Sequence, residues 1–231
     1  MLGRFGSNPT GECRPLRPPA FFFDLDGTLT DPKPGITGCI QYALERLKRP
    51  VPEADELEWC IGPPLLDNFE RLVGSKEAQA GVDLYRERFS EVGLFENEVY
   101  PGIDDALAEA AALGAELYVA SSKPLVFVRR ILDHFELTPR FRGVFGSELD
   151  GRRTDKVDLL RYALEQTEVD GQTATMIGDR GVDSIGAQAN EMGFLGVLYG
   201  YGSVEELRDT GAHRWVEAPE DLIGALFTRS L

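Results

Sequence analysis

Cysteine is scarce in this chain, and so is histidine. The three cysteines, Cys13, Cys39 and Cys60, form no CxxC pair. An odd, scattered set argues against a disulfide framework and against a zinc site. A reducing, cytoplasmic setting is expected instead. The two histidines, His134 and His213, stand in no motif, and surface positions are expected for both. Positive charge is also short: 24 Lys and Arg face 39 Asp and Glu, for a net charge of -15. That argues against binding nucleic-acid backbones or anionic membrane surfaces through a basic face. An anionic ligand would need a locally positive site. No run approaches the ~20 apolar residues of a membrane span, and neither repeats nor low-complexity tracts occur. Residues 1–19 lack the apolar core of a signal peptide. With Pro9, Pro15, Pro18 and Pro19 and several glycines, they are expected to form a flexible leader.

What the chain does have is a core: 42% of its 231 residues are hydrophobic, enough for one sizeable domain or a domain carrying an insert. Its organising stretch is Ala20-Phe21-Phe22-Phe23-Asp24-Leu25-Asp26-Gly27-Thr28. The apolar run reads as a strand buried on both faces, as in a parallel sheet. It stops at two carboxylates spaced i, i+2, and Gly27 then frees the backbone to turn. Acids ending a buried strand are costly unless a cation or a reaction needs them. In open α/β sheets, ligands bind at the carboxyl ends of the strands.

Residues 32–97 read as helices without a clear strand, including a long one over Glu77 to Phe95. Beyond them, strands alternate with helices. Strands are expected at Ala115 to Ala120, Gly143 to Phe145, Ala174 to Ile177, Phe194 to Tyr199 and Arg214 to Val216. A helix is expected at Ser184 to Met192. This alternation predicts an α/β fold: a Rossmann-like, doubly wound parallel sheet. The first strand belongs to that sheet, yet helices separate it from the rest. The expected division is therefore a core of residues 20–31 and 98–231 and an inserted all-helical cap of residues 32–97, seated where a lid would be.

In a parallel sheet the ends of these strands share one edge. That edge gathers Asp24, Asp26, Ser121, Asp179 and Asp183, with Lys156 at the start of a nearby helix. Clustered carboxylates raise one another's pKa unless a cation binds. Hard oxygen ligands suit Mg2+. Lys156 supplies a point charge for phosphate, Ser121 a hydroxyl donor, and the N–H groups from Leu25 to Thr28 an anion-binding nest. Together these describe phosphoryl transfer. Asp24 is the candidate nucleophile and Asp26, on the turn, the candidate acid/base. Taken singly, Ser121 reads as a helix cap and Lys156 as a solvated helix lysine; the shared edge raises both.

Asp24-Leu25-Asp26-Gly27-Thr28 resembles the first motif, DxDGT, of the haloacid dehalogenase superfamily. Ser121, Lys156 and Gly178-Asp179 with Asp183 resemble its second, third and fourth motifs, and the likeness runs from residue 20 to 231. The resemblance implies that Ser121 and Lys156 hold the phosphoryl group. It also implies that Asp24, Asp179 and the Asp26 main-chain carbonyl bind Mg2+, with Asp183, Thr28 and Gly27 in support. Ile61-Gly62-Pro63-Pro64-Leu65, Gly178-Asp179-Arg180 and Gly200-Tyr201-Gly202 look closest to phosphoglycolate phosphatase-like and 5'-nucleotidase-like members. On that footing Gly62, Pro63, Ser122, Lys123 and Arg180 are candidate substrate-binding residues, although Ser121-Ser122-Lys123 stands where many of those relatives carry Thr-Asn-Lys or Thr-Ser-Lys. The expectation is an Mg2+-dependent phosphatase acting through an aspartyl-phosphate on a small phosphorylated metabolite, 2-phosphoglycolate or a nucleoside 5'-monophosphate. A sugar-phosphate mutase and a non-catalytic binding protein of the same fold are the alternatives.

Overall fold

Ala20–Phe23 form β1, and all four residues are buried. Period-two alternation sends Phe21 and Phe23 to one face of the sheet and Ala20 and Phe22 to the other. A strand with two apolar faces must be covered on both sides. In the computed structural model, which describes residues 18–227, helices do so. The expected leader lies outside the described residues except for Pro18 and Pro19; the Pro19 carbonyl accepts the Glu116 N–H at 2.9 Å, at the start of the sheet.

The remaining strands are β2 (Thr30–Asp31), β3 (Glu98–Val99), β4 (Glu116–Pro124), β5 (Gly143–Ser147), β6 (Ala174–Gly178), β7 (Gly193–Val197) and β8 (Trp215–Val216). Six of them form one sheet in the order β5-β4-β1-β6-β7-β8. Every pairing is parallel. The expected doubly wound sheet is therefore present, with β1 at its centre. The register places Phe23 opposite Val119 and Ile177, so β1, β4 and β6 end side by side.

The helices α1 (Lys33–Arg46), α2 (Leu65–Val73) and α3 (Ala78–Arg88) precede β3. The crossovers are α4 (Ile103–Ala112), α5 (Leu125–His134), α6 (Lys156–Thr167), α7 (Gly181–Ala189) and α8 (Val204–Asp209), and α9 (Leu222–Phe227) follows the last strand. Helices α6 and α7 cover the Phe22 face with Leu159, Leu160 and Ala187. Helices α4 and α5 cover the Phe21–Phe23 face, and that core continues without a break into α1–α3.

Three details differ from the sequence reading. Helix α3 stops at Arg88 and widens into a π-turn, Phe89–Gly93, closed by the Leu94 N–H on the Phe89 carbonyl at 3.0 Å. There Gly93 presses on Gly35 of α1 so closely that a Cβ on Gly35 would overlap the Gly93 carbonyl. Helix α7 starts at Gly181, not Ser184, because the Asp183 carboxylate accepts the Arg180 N–H at 3.1 Å and caps an earlier turn. Finally, β2 and β3 pair antiparallel through Thr30–Val99 and Asp31–Glu98. The chain thus leaves the sheet and returns to it along one short ribbon.

Candidate active site

The acids after β1 are held apart by two different lysines. The Asp24 carboxylate accepts the Leu25 N–H at 2.7 Å through Oδ1, and its Oδ2 lies 3.1 Å from Lys156 Nζ. Lys156 is 3% exposed. Its ammonium also meets Asp183 at 2.7 Å and donates to the Ala120 carbonyl at 3.1 Å. Burial alone would lower the Lys156 pKa, but the carboxylates of Asp183 and Asp24 outweigh it and raise it. This lysine stays charged and cannot serve as a base near neutrality.

Asp26 faces a separate partner. Lys123 Nζ reaches its two carboxylate oxygens at 2.9 and 2.8 Å and lies 4.8 Å over the Phe89 ring. Burial raises the Asp26 pKa against the pull of Lys123, with repulsion from Asp24 adding to the rise. A carboxyl held in its acid form more readily than usual is suited to giving a proton.

Asp179 follows β6 and Asp183 lies on the first turn of α7. Carboxylate oxygens of Asp24, Asp179 and Asp183 all fall within 4.8 Å of one another. Burial pushes Asp179 well above the usual carboxylate range, and repulsion from Asp183 and Asp24 reinforces this against the Tyr201 N–H, which binds its Oδ2 at 2.9 Å. Asp183 is pushed up to about 6, chiefly by burial, despite Lys156. Three buried acids beside one ammonium leave an excess of negative charge. An all-oxygen donor set of this kind fits a hard divalent cation.

The turn between these acids depends on Gly27. Its φ of 78° suits glycine, and a Cβ there would strike the Asp179 carboxylate. The Thr28 hydroxyl points at Asp179 Oδ1 across 3.5 Å, a marginal contact. The Thr28 carbonyl accepts the Tyr199 hydroxyl at 3.1 Å.

Asp24, Asp26, Ser121, Ser122, Lys123, Lys156, Gly62, Pro63 and Arg180 all line one cavity of about 420 Å³. Gly27, Thr28, Asp179 and Asp183 stand behind its wall. Ser121 is buried, its Oγ accepting the Lys123 N–H at 3.4 Å. Arg180 binds Glu206 through Nε at 3.0 Å and donates from Nη1 to the Ile61 carbonyl. It thereby ties the loop after β6 to the Gly62-Pro63 loop. Residues the sequence reading did not single out complete the wall: Tyr85, Phe89 and Phe127, with Asn68 and Arg86. Tyr85, Phe89 and Phe127 are aromatic residues that stand in no motif, so no sequence signal marked them.

The sheet topology and the acids gathered at its edge define a hydrolase class, and residues 21–197 match the family described as "Haloacid dehalogenase-like hydrolase". The chain belongs to that family, and within it stands with the phosphatases. It is 48% identical to "5'-nucleotidase" of Pseudomonas aeruginosa over 195 residues, 84% of this chain and 88% of that protein. It is 36% identical to "Tyrosine-protein kinase PtkA" of Mycobacterium tuberculosis over 193 residues, 84% of this chain and 66% of that one. Among solved structures, "a predicted phosphatase from Clostridium acetobutylicum" superposes with a TM-score of 0.87 at 40% identity, covering 91% of this chain and 98% of that one.

Proposed function

We propose that this phosphatase hydrolyses phosphomonoesters through an aspartyl-phosphate on Asp24, with Mg2+ as cofactor. One observation carries the reading: Asp24 and Asp26 enter the same cavity from one turn, each paired with its own lysine. The Asp24 carboxylate attacks phosphorus and the ester P–O bond breaks. Asp26 gives its proton to the departing alkoxide oxygen. The Asp26 carboxylate then takes a proton from water, whose oxygen attacks the acyl phosphate and frees Asp24 and inorganic phosphate. Lys156 and the Ser121 hydroxyl hold phosphoryl oxygens. Asp24, Asp179 and the Asp26 main-chain carbonyl would hold Mg2+, with Asp183 in support; bound there, the cation neutralises charge between the carboxylates and the phosphoryl group.

Residues 32–97 serve as the cap over this core, excluding water and meeting the leaving group. Of the two expected substrates, a nucleoside 5'-monophosphate is preferred here over 2-phosphoglycolate, on the likeness to the relative named 5'-nucleotidase. The cavity volume of about 420 Å³ lies within the ~300–1,000 Å³ typical of small-molecule sites. Of the cations lining the cavity, Lys123, Lys156 and Arg180 are already matched to carboxylates, whereas Arg86 donates to the Leu149 carbonyl at 3.3 Å and keeps its charge for a substrate anion.

Phosphate release across a panel of phosphorylated metabolites, with and without EDTA, tests the reading. Turnover should require Mg2+, and Asp24→Asn should lower it by at least ~10⁴-fold with the fold intact. Full activity in EDTA removes the cation, and full activity of Asp24→Asn removes the nucleophile. Rearranged phosphoester without free phosphate would identify a mutase.

A further inference from the structure

Asn68 is a buried polar side chain in the cavity wall that the chemistry above leaves unused. It sits on α2 and is 1% exposed. Its Nδ2 donates to the Cys60 carbonyl at 2.8 Å. That bond fixes which way the amide faces, because the reverse placement would set two oxygens against each other. Its Oδ1 is then left without a donor among the described residues. A buried acceptor without a partner is costly, and such groups in native proteins call for an explanation. Asn68 also lines the cavity that holds Asp24 and Asp26.

The surroundings narrow the missing partner. Cys60, Val82, Tyr85, Phe89 and Phe127 line the same cavity. Tyr85 and Phe89 stack with ring centroids 5.2 Å apart, and Phe127 meets Phe89 edge-on at 5.3 Å. Gln79, Arg86, Glu148 and Asp150 also line the cavity, but stacked rings beside a fixed acceptor suit a flat heteroaromatic ring with an N–H edge.

We propose that Asn68 is a specificity-determining residue whose Oδ1 accepts an N–H from the base of a nucleoside 5'-monophosphate, while the phosphate lies at Asp24. This rests on the phosphatase reading above and adds what the helical side of the cavity selects. Asn68→Ala removes the acceptor. Compared with the parent protein, it should lose at least ~10-fold in kcat/KM on the preferred nucleotide, mainly through KM. Ribose 5-phosphate and p-nitrophenyl phosphate should change less than twofold. An equal loss on all three would mark Asn68 as a packing residue and overturn the assignment. A loss on ribose 5-phosphate matching that on the nucleotide would move the donor to the sugar and also overturn it.

Binding keeps this test separate from the test of turnover. In an Asp24→Asn background, calorimetric titration with the same nucleotide should show at least ~10-fold weaker affinity when Asn68→Ala is added. Unchanged affinity, or no nucleotide binding with a folded protein, overturns the proposal even if phosphate release is intact. Silence in every phosphate-release assay with this Asn68-dependent binding preserved would instead overturn the hydrolytic reading alone. A thermal melt of Asn68→Ala controls for loss of the Cys60 contact.

Discussion

The two ends of the cavity are built from opposite materials. At the sheet end, Asp24, Asp26, Lys123 and Lys156 meet within ion-pair distance, each charge matched to a neighbour. At the helical end, Tyr85, Phe89 and Phe127 present rings, and Asn68 offers one unmatched acceptor. The sheet end is positioned by backbone. Strand ends in register and a glycine turn leave its side chains little freedom. The helical end is positioned by side-chain packing, which can change without moving a strand. The first arrangement suits chemistry that must not vary, and the second suits selection among leaving groups.

Three measurements sharpen or break that contrast. The largest effect is expected from Asp26→Asn, which should slow turnover by ~10²–10⁴-fold. The loss should be greater for an alkyl phosphate than for p-nitrophenyl phosphate, whose leaving group needs no proton. Equal losses on both would take the acid role from Asp26. Next is Lys156→Ala. It leaves the buried Asp24 and Asp183 charges facing each other, and breaking a buried pair costs about 3–5 kcal/mol. Urea unfolding should show this, with part of the loss recovered on adding Mg2+. A loss below ~1 kcal/mol would mean the sheet end is not held by this network.

The smallest effect is a pH slope. Burial raises Asp26, Asp179 and Asp183, the last to about 6. The folded state therefore binds protons that the unfolded state, titrating near 3.8, does not. Stability of the EDTA-treated protein should consequently rise as pH falls from about 7 through about 6. Mg2+ should flatten or reverse that slope, because a bound cation favours the ionised acids. Melting temperatures with and without Mg2+ measure it; no difference between the two would count against a cation among these carboxylates.

The sheet was legible in the sequence because strands at its centre are apolar runs followed by an abrupt polar change, as at Phe23-Asp24 and Ile177-Gly178-Asp179. The acids were legible for the same reason. The β2–β3 ribbon was not, since two residues per strand carry no period. Nor was the partner of Lys123, an ion pair 97 residues away in sequence. Arg180, a candidate for substrate or for pairing with a nearby acid, lines the cavity and also bonds Glu206 and the Ile61 carbonyl, partners that the sequence does not name. The Tyr201 N–H on Asp179 escaped because a backbone donor leaves no trace in residue type. The polar gap at Asn68 escaped because an absent partner is visible only in three dimensions.

The ribbon that pairs Thr30 with Val99 and Asp31 with Glu98 has a consequence for modularity. Departure and return lie side by side, roughly 5 Å apart as adjacent strands are. Any segment whose own ends approach that closely can be spliced in there without shifting a sheet residue. The molecule thus has a socket: the sheet and the acids at its edge can stay in place while the segment between Asp31 and Glu98 is exchanged.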